Sequence, residues 1–134
     1  MKKTMQIYLF LNAFLYLSFA IWCIVKFVGT SGFLGYSFLN NSGKVEYLTI
    51  YTGLQMGFAI FLAICAYYPS LRLAGLLFCV AAYVCIVITR TLSGSYFGDL
   101  EKASFMIGAL EYSLCIWGLI LLFRNWDLVK NLEA

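Results

Sequence analysis

The sequence has no histidine, a single proline (Pro69) and few charges, with nine basic and six acidic residues in 134. Without histidine the chain lacks the usual axial ligand of haem and the commonest ligand of transition metals. No metal and no cofactor is therefore called for. The five cysteines, Cys23, Cys65, Cys79, Cys85 and Cys115, include no CxxC pair, so dithiol exchange of the usual kind has no carrier. All five fall inside apolar runs, where cysteine serves as a small apolar filler. Net charge is +3, and no basic cluster is dense enough to hold a nucleic acid.

What the chain does have is apolar residues in blocks. They make up 63% of it, against 11% charged, where soluble domains average roughly 45–50% and 25%. A soluble domain of this size leaves too much surface exposed to hide that content. Lipid is the solvent, and the bilayer is the first partner. Residues 5–28, 47–68, 71–92 and 103–123 each reach the length of about 20 residues that a helix needs to cross the hydrocarbon core. Backbone groups in lipid must be satisfied internally, which makes these runs helices; the alternation of a barrel strand is absent. The expectation is an all-α, single-domain, four-helix transmembrane bundle, antiparallel and up-down, with both termini on one side.

The first run follows Lys2 and Lys3 as a signal peptide would, but it is too long and has no small-x-small cleavage site. It reads as a retained helix. Lys2, Lys3, Arg72, Arg124 and Lys130 flank one side of the bundle and Lys26, Lys44, Arg90 and Lys102 the other. That balance puts both termini in the cytoplasm by the positive-inside rule. Tyr68-Pro69-Ser70 is so short that the second and third runs form an antiparallel hairpin. The last connection is short, and acidic around Asp99 and Glu101. The first, residues 29–46, is the longest. Its aromatic stretch from Gly32 to Leu39 reads as an interfacial loop rather than as a lid on a pocket.

Small and polar residues mark where membrane helices meet. At about 100° per residue, Ser104, Gly108, Glu111, Cys115, Gly118 and Leu122 share one stripe of the fourth run. Gly75, Cys79, Ala82, Ile86, Thr89, Arg90 and Ser93 do so on the third, and Tyr8, Asn12, Tyr16, Phe19 and Cys23 on the first. The second run carries Tyr47, Tyr51 and Gln55 on one side and the GxxxG pair Gly53 and Gly57 on another. That glycine face either packs within the chain, the favoured reading, or forms a homodimer or a contact with a partner membrane protein. Gly108 and Gly118 are further packing positions.

Gln55 and Glu111 each lie eight residues into their runs, roughly 12 Å below one boundary at 1.5 Å per residue. Tyr51 lies above them, and Arg90 is placed near the boundary. A carboxyl group at such depth costs on the order of 2.5–3.5 kcal/mol, and Arg90 cannot shed its charge. A Glu111–Arg90 pair bridged by Tyr51 or Gln55 would meet both demands. Alternatively, Arg90 reaches headgroups and Glu111 is a neutral donor within the bundle. These four residues form the candidate ligand-binding or proton-exchanging group; no catalytic residue is assigned.

The segment Tyr51-Thr52-Gly53-Leu54-Gln55-Met56-Gly57-Phe58 resembles the Tyr-Gly-Gly-type signature in the second helix of a bacterial four-helix membrane family. Arg90 before a Ser/Gly segment and Glu111 in the fourth helix are similar to it as well. That family is catalogued as a domain of unknown function (number 4345), distantly DoxX-like. The resemblance spans nearly the whole chain, with Thr52 standing where a glycine is expected, and implies the four-helix fold and a bacterial inner membrane. It implies no activity. Three functions remain: binding of a small lipophilic molecule (a lipid, isoprenoid or quinone) around Glu111 and Arg90, a non-catalytic accessory subunit, and a small proton-coupled transporter. The transporter reading is the weakest, because the first run carries Asn12 and no acid, unlike the small multidrug transporters.

Overall fold

The computed structural model of the protein describes residues 2–98 and 100–130; Asp99 lies outside the described residues. All regular structure among them is helical. Four helices are long and apolar enough to cross a membrane: Lys3–Val25, Asn41–Tyr67, Pro69–Phe97 and Lys102–Arg124. The expected all-α four-helix bundle is thus what the chain forms, and the protein is a multi-pass membrane protein. Tyr8, near the start of the first span, donates to the carbonyl of Leu114 at 3.0 Å and packs edge-on against Trp117. The start of the first span and the end of the fourth therefore share one end of the bundle.

The ends of the helices depart from the expected boundaries, each for a local reason. Helix α1 (Lys2–Val25) breaks at Lys26, whose backbone leaves the helical region, and α2 (Phe27–Phe33) resumes at once. Thr30 Oγ1 bonds back to the carbonyls of Lys26 and Phe27 and Ser31 Oγ to that of Val28, the back-bonding that bends helices. Gly35, at φ +78°, then turns the chain, a backbone region that glycine enters at little cost.

Residues 41–46 are polar and were expected to be loop. Instead Asn40 caps them, its side chain accepting from the Gly43 N–H at 3.0 Å. The second span runs as α3 (Asn41–Leu48), a π-helical turn (Thr49–Leu54) and α4 (Gln55–Tyr67). The expected connection of residues 29–46 shrinks to 34–40.

Pro69 opens a short 3₁₀ turn and α5 (Arg72–Phe97), which ends five residues later than expected. Thr91, Ser93 and Ser95 each bond to the carbonyl four residues back, at 2.7–2.8 Å. Their hydroxyls are satisfied on their own helix, so polarity does not stop it; Gly98, at φ +62°, does. Helix α6 (Lys102–Arg124) and the short α7 (Trp126–Lys130) complete the chain.

The buried core occupies the end of the bundle that holds the first residues of α1. Met5, Tyr8 and Leu9 of α1 meet Leu62 and Cys65 of α4, Leu76 and Cys79 of α5, and Leu121 and Leu122 of α6. Two glycines make this closeness possible. A Cβ on Gly75 would stand 2.7 Å from Cys65 Cβ, and one on Gly118 would stand 2.6 Å from the Tyr8 hydroxyl oxygen. Toward the other end α1 stays against the second span, with Thr52 Oγ1 donating to the carbonyl of Ala20, while α5 stays against α6. Between the two pairs a cavity opens. The outward faces remain apolar, as lipid requires, with Phe14, Val28, Ile116 and Phe123 more than half exposed.

The glycine face of the second span corrects an expectation. Gly53 and Gly57 were expected to pack within the chain, yet a Cβ on either would meet open space. The π turn and α4 present Thr52, Ala59 and Leu62 inward instead, which leaves the two glycines on the outer surface.

Candidate functional site

Arg90 and Glu111 reach the cavity from adjacent helices. Because α5 continues to Phe97, Arg90 lies seven residues inside its end, roughly 10 Å along the axis. It thus lies farther from the helix end than expected. Glu111 lies nine residues into α6, roughly 13 Å. The two therefore meet at similar depth. Arg90 Nε donates to Glu111 Oε2 at 2.5 Å and Nη2 to Oε1 at 3.0 Å, while Nη1 donates to Ser104 Oγ at 3.3 Å. This is the bidentate fork-to-carboxylate geometry that favours arginine over lysine.

Gly108 makes the pairing reachable. A Cβ there would lie 3.2 Å from Arg90 Cδ, so the arginine stem passes across a position with no side chain. The pair is direct; neither Tyr51 nor Gln55 bridges it. Tyr51 instead shares a 2.6 Å hydrogen bond with the Tyr36 hydroxyl. Gln55 faces the cavity from the second span, and all four expected polar residues line the same space of about 1170 Å³. The Arg90 and Glu111 side chains keep 29% and 17% of their surface exposed, toward that space and, for Arg90, toward a smaller one of about 570 Å³ between α5 and α6.

Tyr16 and Tyr83 line the floor of the cavity, above a set of buried hydrogen bonds in which Tyr83 is the side chain that the expected stripes left out. Tyr83 donates to Asn12 Oδ1 at 2.6 Å, Asn12 Nδ2 donates to the Tyr8 carbonyl at 2.8 Å, and the Tyr8 hydroxyl reaches Leu114. Tyr16 stacks on Tyr83 with ring centroids 6.4 Å apart. A signal for Tyr83 did exist. It precedes Arg90 by seven residues, two turns along the same helical face, and a buried Asn12 in lipid needs a partner.

The roof is aromatic. Leu34 and Tyr36 border the cavity, and Phe27, Tyr36, Phe38, Tyr47 and Tyr51 form one cluster with neighbouring rings 4.8–6.2 Å apart. Of the stretch expected to lie as an interfacial loop, Leu34 and Tyr36 reach the cavity while Phe33 and Leu39 are exposed. The π turn lies within the expected stripe of Tyr47, Tyr51 and Gln55, and the Tyr47 and Tyr51 rings remain neighbours, 4.8 Å apart. Tyr51 and Gln55 face the cavity, while Tyr47 is buried with its hydroxyl 3.6 Å from Cys23 Sγ. Such turns insert an extra residue and recur at functional sites. Its sequence signal is Thr49-Ile50-Tyr51-Thr52-Gly53, whose β-branched residues and glycine all lower α-helical propensity.

Among the described residues, no three His, Cys, Asp or Glu side chains gather as a metal would require. No protein-family model, curated protein or solved structure matches this chain. The site is read from its own geometry.

Proposed function

We propose that this protein binds a small lipophilic molecule inside the bilayer, in the cavity between its two helix pairs. The observation that carries the reading is the cavity itself. A space of about 1170 Å³ stands where the helices part, with aromatic and aliphatic walls and a few convergent polar groups. Ligand sites are built this way, with apolar contact supplying affinity and a few polar groups fixing orientation. Ile86, Leu110 and Phe19 would cover hydrocarbon, Arg90, Glu111 and Ser104 would hold the polar end, and Tyr51 and Gln55 would orient it. A lipid, an isoprenoid or a quinone fits that description.

The reading includes kinship with the four-helix family of unknown function named above, distantly DoxX-like, a bacterial inner membrane and cytoplasmic termini. A second reading, an accessory subunit, draws on the outward Gly53 and Gly57, where a partner helix or a second copy could approach closely. Proton-coupled transport gains nothing, since both oxygens of Glu111 are engaged by Arg90.

Native mass spectrometry of gently extracted protein tests binding, with wild type compared to Thr89→Trp, which fills the cavity from an exposed wall position. A retained lipophilic mass that Thr89→Trp loses is expected. A bare wild-type chain, or a mass indifferent to the substitution, would sink the binding reading.

A further inference from the structure

Resting on that reading, we propose that the polar end of the ligand is uncharged: the cavity selects a long-chain alcohol or primary amide over a carboxylate, phosphate or amine. Among the described residues, Arg90 and Glu111 are the only charged side chains on the cavity wall, and each neutralises the other through two hydrogen bonds. The remaining polar lining is uncharged: hydroxyls, among them Ser93, Ser104 and Tyr51, the Gln55 amide, the Trp22 indole and the Cys85 thiol. A charged ligand therefore finds no uncompensated counter-charge.

To bind, an anion would have to draw Arg90 away from Glu111 and leave a carboxylate unpaired at membrane depth. A cation would have to draw Glu111 away and strand a guanidinium. Removing one partner of a buried pair is strongly unfavourable because the other charge stays behind.

The pair nevertheless keeps hydrogen-bonding capacity. Arginine carries five N–H donors, and three of them are committed, two to Glu111 and one to Ser104. Two remain. Each carboxylate oxygen accepts one bond from Arg90 and has a second lone pair. A head that both accepts and donates can bridge these sites without breaking the pair. An alcohol or a primary amide does that; an ester or a quinone carbonyl only accepts.

Probes that share one chain and differ only in the head give the test. Purified protein in a nonionic detergent is incubated in turn with oleamide, oleyl alcohol, oleate and oleylamine, and the fraction of chains carrying each is read by native mass spectrometry. Wild type is expected to hold the two neutral probes roughly tenfold more tightly than either charged one. Glu111→Gln leaves Arg90 uncompensated and should shift the preference to oleate; Arg90→Gln leaves Glu111 and should shift it to oleylamine. Thermal melts show whether each variant is folded, and if neither is, the wild-type ranking decides alone. A wild-type chain that prefers oleate or oleylamine, or holds all four alike, overturns the neutral-head assignment and leaves cavity binding standing. Unchanged preferences in both folded variants overturn it too. Retention of no probe, with no co-purified mass sensitive to Thr89→Trp, overturns both.

Discussion

The two halves of the bundle are made from the same helices and solve opposite problems. In the terminal half Gly75 and Gly118 remove side chains so that helices touch, and Tyr8, Leu9, Leu62 and Leu76 fill the interior completely. In the other half Gly108 removes a side chain so that Arg90 can pass, and the interior stays open. Small residues at a helix crossing thus have two uses, close approach of backbones or room for a long polar side chain. The neighbouring atoms tell which. Where two helices pack without a hydrophobic driving force, close packing and interhelical hydrogen bonds such as that from Tyr8 to Leu114 hold them. The filled half must therefore carry the stability that lets the open half remain open.

The most severe way to break this contrast is to put side chains on the glycines. Gly75→Leu or Gly118→Leu should destabilise by more than about 3 kcal/mol and leave little folded protein, since their Cβ atoms would collide with Cys65 Cβ and the Tyr8 hydroxyl. Gly53→Leu and Gly57→Leu, facing open space, should stay within about 0.5 kcal/mol. Thermal melts in detergent compare the four. Equal losses at all four positions would mean that the outward glycines also lie at an interface, and would favour the accessory-subunit reading.

Next in size is the ion pair. Arg90→Met or Glu111→Leu alone should cost about 2.5–3.5 kcal/mol, because each strands a charge at membrane depth. The double substitution should cost clearly less than the sum, the mark of a direct partnership. If the two losses simply add, each group is satisfied separately, by headgroups or water, and the open half is not organised around the pair.

Much of this was legible in the sequence, and the exceptions share a cause. Hydropathy located the four spans because lipid leaves a helix no other way to satisfy its backbone. The angular stripes brought Arg90 and Glu111 to one place because α5 and α6 are regular. Hydropathy could not locate the ends. Asn40 and the self-satisfied Ser93 and Ser95 extend helices through polar residues, which a hydropathy window reads as loop. That placed Arg90 at the end of its helix in the expectation, where the structure has two further turns beyond it. The stripe of Tyr47, Tyr51 and Gln55 runs through a π turn that the sequence did not announce, yet Tyr47 and Tyr51 stay neighbours and Tyr51 and Gln55 line one cavity. Gly53 and Gly57 show that a motif gives spacing without direction.

A smaller effect is expected where the two halves meet. Tyr83→Phe removes the donor to Asn12 Oδ1 and should cost on the order of 1 kcal/mol, the size of interhelical hydrogen bonds measured in membranes. Adding Asn12→Leu should recover part of the loss, because an apolar pair leaves no orphaned acceptor. A melt that Tyr83→Phe does not shift would mean that the floor is held by the stacking of Tyr16 on Tyr83 rather than by the hydrogen bond to Asn12.

The smallest change in stability, and the most informative about access, belongs to Tyr36→Phe. It removes one hydrogen bond to Tyr51 and keeps the ring packing against Phe38 and Tyr47, so the melt should move by less than about 0.5 kcal/mol. Access should change more. Cys85 is the one exposed cysteine of the five and lines the cavity, so its alkylation by a lipid-soluble maleimide reports how readily a molecule enters. If the Tyr36–Tyr51 bond holds the roof down, the variant should label several-fold faster at unchanged stability. Identical labelling would show instead that entry runs between the helix pairs from the lipid, where α1 and α6 part. The cavity would then exchange its contents sideways rather than through the aromatic roof.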